Sequence, residues 1–105
     1  MRFIETPVFT RRICNLISDE SYRALQLALL FRPEQGAIIP GSNGLRKVRW
    51  RSRGHGKRGG FRIIYYWDKI NDTIYMLFIY AKADTKDLTP KQINILAKAV
   101  QEDLR

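Results

Sequence analysis

The sequence predicts an α+β protein in which an N-terminal helical hairpin and a C-terminal helix pack on a small, mostly antiparallel β-sheet. Helix start signals and apolar residues at helical spacing lie at both ends of the chain, whereas the middle carries strand-like alternation broken by turn residues. The chain has 105 residues, of which 45% are hydrophobic, which is enough to bury one core. We therefore expect a single domain over residues 1–105.

The N-terminal third predicts one short strand and two helices. Arg2–Glu5 is β-like, and Thr6 followed by Pro7 is typical of a helix cap and first helical position. Ser18 caps a second helix, which should end before Pro33 because the residue preceding proline is disfavoured in helical conformation. The apolar positions at helical spacing are Phe9, Ile13 and Leu16 in the first helix and Tyr22, Leu25, Leu29 and Leu30 in the second.

The rest of the chain predicts three strands and a last helix. Pro33–Gly44 is rich in proline and glycine and should be a loop, and strands are expected over Leu45–Arg51, Phe61–Trp67 and Thr73–Ala81. Thr73–Ala81 is apolar on both faces, so it belongs in the interior of the sheet. The run Thr89-Pro90-Lys91-Gln92 is a capping-box pattern, and the apolar stripe that follows it is Ile93, Leu96, Ala97, Val100 and Leu104.

Positive charge is concentrated in the middle of the chain. The formal net charge is +9, and residues 35–81 contribute +7 of it, with no carboxylate between Gln35 and Trp67. Strand alternation places Lys47, Arg49 and Arg51 on one face, with Val48 and Trp50 opposite on the face that Arg46 shares. A glycine-rich loop follows, with Arg53, His55, Lys57 and Arg58 in it. Unpaired cations at this density favour a polyanionic partner such as nucleic acid.

Several classes of protein are disfavoured by composition. The single cysteine, Cys14, excludes an internal disulfide, and with the single histidine, His55, it cannot form a closed zinc site. We therefore expect no metal and no cofactor. The longest apolar run is too short to cross a bilayer and no signal pattern opens the chain, so a cytoplasmic protein is expected.

The element order and several motifs resemble the RelE/ParE superfamily of bacterial toxins, and most closely its HigB branch. The runs that carry the resemblance are GLRKVRW, KRGGFRIIYYW, IYMLFIYAKAD and LTPKQ. The resemblance implies a RelE-like fold over the whole chain. It also implies a ribosome-dependent endoribonuclease, an mRNA interferase that cuts messenger RNA in the ribosomal A site and is silenced by a HigA-like antitoxin with a helix-turn-helix DNA-binding domain.

The resemblance also implies the site. Lys47 and Arg49 match the basic pair of the family's first hairpin strand, Arg62 matches the arginine that opens the next strand, and Lys82 lies near the basic position after the last core strand. RelE-type relatives carry a catalytic tyrosine shortly after that position, where this sequence reads Asp87-Leu88-Thr89. The identities of the general acid and the general base therefore stay open.

The chemistry divides the basic residues into roles. Cleavage by the RNA's own 2′-hydroxyl needs charge stabilisation, which suits the arginine fork, so Arg49 and Arg62 are assigned to it. Close cations disfavour the charged form of a lysine, so Lys47 and Lys82 are the candidates for proton transfer. The residues expected to bind RNA without chemistry are Arg46, Arg51, Arg53, His55, Lys57, Arg58 and Lys86.

Two questions stay open from the sequence: the role of the positive charges and the role of the aromatic residues. A solvated basic face, a basic RNA-binding module or a ParE-like toxin acting on a topoisomerase would explain the same charges without catalysis. The aromatic residues Tyr65, Tyr66, Trp67 and Tyr80 could stack on bases, or they could pack in the core.

Overall fold

Five strands form one sheet in the computed structural model of the protein, which describes residues 1–52 and 60–104. The strands are β1 (Arg2–Glu5), β2 (Ala37–Ile38), β3 (Arg46–Trp50), β4 (Phe61–Asp68) and β5 (Thr73–Ala81). Their order in the sheet is β1-β5-β4-β3-β2, with β1 parallel to β5 and every other pair antiparallel. The predicted α+β class with a mostly antiparallel sheet is confirmed.

The helices begin at the predicted caps. These helices are α1 (Pro7–Leu16), α2 (Asp19–Phe31) and α3 (Pro90–Ala99), and a π-helical turn over Val100–Leu104 follows α3. Thr6, Ser18 and Thr89 each accept a hydrogen bond from the backbone N–H three residues ahead, and Gln92 completes a capping box with Thr89. Within residues 1–52 and 60–104, each helix is too short or too polar to span a lipid bilayer.

The helices cover opposite faces of the sheet. On the first, here called the α1/α2 face, Phe9, Ile13, Leu25 and Leu29 pack against Ile63, Tyr65, Met76 and Ile79. On the other, here called the α3 face, Ile93, Ala97 and Val100 pack against Leu45, Ile64, Leu77 and Tyr80. Because β5 is paired on both edges and buried on both faces, the prediction that it lies in the interior of the sheet is confirmed.

A β-bulge at Leu77 decides which face the end of β5 presents. Ile64 pairs with Phe78 and Tyr65 pairs with Met76, so Leu77 is an extra residue in β5. Met76 and Ile79 therefore lie on the α1/α2 face, whereas strict alternation would have placed Met76 with Tyr80. The bulge thus turns Tyr80 onto the α3 face.

Thr6 connects this bulge to the start of α1. Its hydroxyl donates to the Leu77 carbonyl at 2.8 Å and accepts from the Phe9 amide at 3.1 Å. Thr6→Val keeps the shape and removes both bonds, so we expect the free energy of unfolding to fall by about 1–3 kcal/mol. Thr6→Ser keeps the hydroxyl and should stay within about 0.5 kcal/mol. Urea denaturation measures both, and equal losses for the two variants would contradict the role of the hydroxyl.

Two details differ from the sequence expectation. Part of the predicted loop Pro33–Gly44 is strand β2, which pairs Ala37 with Lys47 and Ile38 with Arg46. Two residues are too few for alternation to reveal a strand. Cys14, whose position on a helix predicts a buried small hydrophobic residue, is instead exposed, and its thiol donates to the Thr10 carbonyl one turn back.

Candidate nucleic-acid interface and active site

Strand pairing puts three of the predicted site residues on one face of the sheet. Arg49 lies directly opposite Arg62, and Arg62 lies directly opposite Tyr80. Arg49, Arg62 and Tyr80 therefore form a row across β3, β4 and β5. Lys47, two residues before Arg49 in β3, shares this face and pairs with Ile64 of the core beneath α3. Lys47, Arg49, Arg62 and Tyr80 therefore all lie on the α3 face.

Helix α3 leaves part of this face open. Arg49 is exposed and the Lys47 side chain is 32% exposed, because α3 packs over Leu45, Ile64 and Leu77 instead. Arg62 is only 7% exposed, and its guanidinium donates to the Phe61 carbonyl at 3.2 Å. The face thus combines a fixed, buried cation with two more accessible ones.

A carboxylate joins the cations from outside the hairpin. The Lys47 ammonium donates to Asp87 Oδ1 at 2.8 Å, and the Tyr80 hydroxyl donates to the same oxygen at 3.4 Å. The hydrogen bond from Lys47 is the main reason that the pKa of Asp87 is lowered, and Tyr80 and the charge of Lys82 act in the same direction. Lys47 therefore pairs with a carboxylate from a distant part of the chain, since no acidic residue lies between Gln35 and Trp67.

Tyr80 is a hydrogen-bond donor at neutral pH. Burial raises the pKa of its phenol to about 12, and the nearby Asp87 carboxylate adds to this effect while Arg62 opposes it. Tyr80 is only 1% exposed. It therefore packs in the core and at the same time fixes the position of Asp87.

Arg46 lies away from this group, on the α1/α2 face. It pairs with Tyr65 of that core, and its Nη1 donates to the carbonyls of Glu34 and Gly36 at 2.8 Å each. The structure therefore places Arg46, predicted to bind RNA, across the sheet from Lys47 and Arg49. Its contacts hold the chain between α2 and β2.

The other predicted basic residues are exposed in the segments after β3 and β5 or fall outside the described residues. Arg51 is exposed just after β3, and Lys82 and Lys86 are exposed after β5. The Lys82 amide donates to the Gly60 carbonyl at 3.0 Å, which places Lys82 beside the start of β4. Arg53, His55, Lys57 and Arg58 lie outside the described residues.

A groove of about 580 Å³ continues from the charged group along α3. Lys47, Tyr80 and Asp87 line one part of it, and Asn94 of α3 adds an amide. The remaining wall is mostly apolar and is formed by Ala37, Ile38, Ile39, Pro40, Gly41, Ile64, Leu88, Pro90 and Ile93. Within residues 1–52 and 60–104, no three His, Cys, Asp or Glu side chains come together as a metal-binding group.

Sequence reasoning did not assign Asp87 or Tyr80 to the site. The sequence predicts base stacking or core packing for Tyr80, because the face on which it lies depends on the bulge at Leu77, which alternation alone does not reveal. Asp87 lies in the stretch where RelE-type relatives carry a tyrosine, and its residue type alone predicts no role. The available signal was its position two residues before the Thr89 cap, which fixes where the chain turns into α3.

Comparison with known proteins identifies the fold. No family model matches the sequence. Among solved structures, the chain is similar to the free state of an E. coli toxin RelE variant in which two arginines are replaced by alanine. The TM-score is 0.58 at 12% identity, and the match covers 81% of this chain and 86% of the other. The protein therefore has the RelE-like fold, as the sequence resemblance implied, and membership of the HigB branch stays a prediction.

Proposed function

We propose that the protein is the toxin of a toxin–antitoxin pair, of the HigB type, and that it cuts translated messenger RNA in the ribosomal A site. The observation that carries this proposal is the placement of Lys47, Arg49 and Arg62 on one face of the sheet, which α3 leaves partly open. The RelE-like fold and the similarity to a protein described as a toxin support it.

The proposed site supplies charge for phosphodiester cleavage. Arg49 is exposed and would bind a phosphoryl oxygen, whose negative charge grows in the transition state, and the buried Arg62 opposite it would add positive charge to the same face. Lys47 adds an ammonium to the same face, and Lys82 is exposed near Asp87, where it would protonate the departing 5′-oxygen. The products would be a 2′,3′-cyclic phosphate and a 5′-hydroxyl.

The remaining exposed cations would hold the ribosome and the message without taking part in the chemistry. We assign this role to Arg51 and Lys86 and, outside the described residues, to Arg53, His55, Lys57 and Arg58. Arg46 is left out, because its guanidinium is bound to backbone carbonyls on the other side of the sheet. Since positioned acid–base groups give about 10²- to 10⁴-fold each, the ribosome would supply part of the substrate geometry, and cleavage of free RNA should be weak.

A partner follows from the same proposal. We expect a HigA-like antitoxin with a helix-turn-helix domain, encoded next to this protein and acting with it in the cytoplasm. That partner would cover the cationic face while it is bound. A neighbouring short reading frame of this type is the simplest supporting observation.

Toeprinting of translating ribosomes with the purified protein tests the proposal. The protein should create new message ends in the A site, and Lys47→Ala, Arg49→Ala, Arg62→Ala and Lys82→Ala should each reduce them. Arg23→Ala is the control, because it removes an exposed arginine of α2 on the opposite face. Absence of new ends with the wild-type protein would refute the nuclease, and growth arrest with DNA damage would favour a ParE-like topoisomerase poison instead.

A further inference from the structure

We propose that Asp87 is the general base of the reaction and that its carboxylate takes the proton from the attacking 2′-hydroxyl. This inference rests on the proposed function and deepens it by naming a catalytic residue.

The position of Asp87 fits this role. Its carboxylate is hydrogen-bonded to the Lys47 ammonium at 2.8 Å, and Lys47 lies on the face that carries Arg49 and Arg62. The Asp87 side chain is 68% exposed and lines the groove of about 580 Å³, so a substrate hydroxyl can approach it. Lys47 and Tyr80 donate to Oδ1 and fix the orientation of the carboxylate.

A structural role alone explains this contact poorly. Exposed ion pairs contribute about 0–1 kcal/mol to stability, so the Lys47–Asp87 pair adds little to the fold. It also lowers the positive charge of a face that should attract RNA. A carboxylate beside Lys47 therefore weakens simple binding of RNA, whereas cleavage needs a proton acceptor at this position.

The same contact argues against Lys47 as the base. A general base needs a free lone pair, whereas the Lys47 nitrogen already donates to the Asp87 carboxylate at 2.8 Å. Lys47 therefore acts as a charged donor that orients Asp87 and faces the phosphate. Tyr80, buried and protonated, is a positioning residue that donates to the same oxygen.

The reaction balances with the groups present. Asp87 removes the 2′-hydroxyl proton, the 2′-oxygen forms a bond to phosphorus, and the bond from phosphorus to the 5′-oxygen breaks. The leaving 5′-oxygen takes a proton from the Lys82 ammonium. Asp87 ends protonated and Lys82 ends neutral, and exchange with water restores both.

Single-turnover cleavage of message on purified ribosome complexes, measured between pH 6 and pH 8, tests the assignment. Asp87→Asn should reduce the rate by about 10²- to 10⁴-fold with ribosome binding retained. Asp87→Glu should recover part of the rate. Asp84→Asn is the matched control, since it removes one charge from another exposed carboxylate in the same segment, and it should cut at the wild-type rate.

The pH profile separates the two candidate bases. Lys47, Tyr80 and Lys82 are the charged or titratable groups that act on Asp87, and they keep its pKa low, so the carboxylate is fully ionised from pH 6 to pH 8. The wild-type rate should therefore be flat over this window, whereas a lysine base would make it rise about tenfold per pH unit.

Three outcomes would overturn the inference. Asp87→Asn cutting within threefold of the wild-type rate, or faster, would mean that Asp87 only neutralises Lys47, and the proposed function would stand. A rate that rises tenfold per pH unit would assign the base to a lysine. A wild-type protein that makes no cuts would remove the proposed function and this inference together.

Discussion

Replacing Arg49 by alanine should lower the single-turnover rate of message cleavage on the ribosome by about 10²- to 10³-fold, the usual loss when one fixed donor to transition-state charge is removed. Arg49 lies directly opposite Arg62, and we expect its exposed guanidinium to bind the phosphate while the buried Arg62 adds positive charge to the same face. Because Arg49 is exposed, the thermal midpoint should hardly change. Quench-flow with a labelled message measures the rate.

The control for this prediction is Arg23→Ala, which removes the same charge from α2 on the opposite face. It should cut at the wild-type rate. If Arg49→Ala only weakened binding to the ribosome in a salt-dependent way and left the rate of the bound complex unchanged, Arg49 would be an anchor and its assignment to the transition state would be wrong.

Replacing Tyr65 by alanine should lower the free energy of unfolding by about 3–5 kcal/mol, the range for a large buried aromatic side chain. The Tyr65 ring is fully buried on the α1/α2 face. Its hydroxyl donates to the Pro33 carbonyl at 2.6 Å and accepts from the Gly36 amide at 2.9 Å. One side chain thus fixes both the core and the segment that leads into β2. Urea denaturation measures the loss.

Tyr65→Phe separates these two contributions. It keeps the ring and leaves the buried Gly36 amide without the phenol oxygen, so the expected loss is about 1–3 kcal/mol. A Tyr65→Ala loss no larger than that of Tyr65→Phe would contradict a core role for the ring. Gly36 has no room for a side chain, since an added Cβ would lie 2.7 Å from a carbon of this ring.

Local signals in the sequence were enough to predict most elements of the fold. Caps at Thr6, Ser18 and Thr89 depend on a few neighbouring residues, and each helix begins at the residue after its cap. The apolar run Thr73–Ala81 is β5 with the predicted bounds. What local signals do not reveal is pairing between distant segments, such as the parallel contact of β1 with β5.

The candidate site was predictable only in part for the same reason. Alternation places Lys47 and Arg49 on one face, and pairing with β4 adds Arg62. The bulge at Leu77 then reverses the alternation of β5 and brings Tyr80 to that face, and the cap of α3 brings Asp87 to Lys47. Neither effect is visible in the periodicity of one strand. Arg46 illustrates the opposite case. Charge density alone predicted that it binds RNA, whereas in the structure its guanidinium donates to two backbone carbonyls on the other face of the sheet.

The most direct test of this account is a message with a single 2′-deoxy nucleotide at the position that the protein cuts on the ribosome. The mechanism uses the RNA's own 2′-hydroxyl as nucleophile, so we predict that cleavage at this position is abolished while the all-ribose message is cut to a 2′,3′-cyclic phosphate end. Continued cleavage of the 2′-deoxy message at the same position would contradict the account.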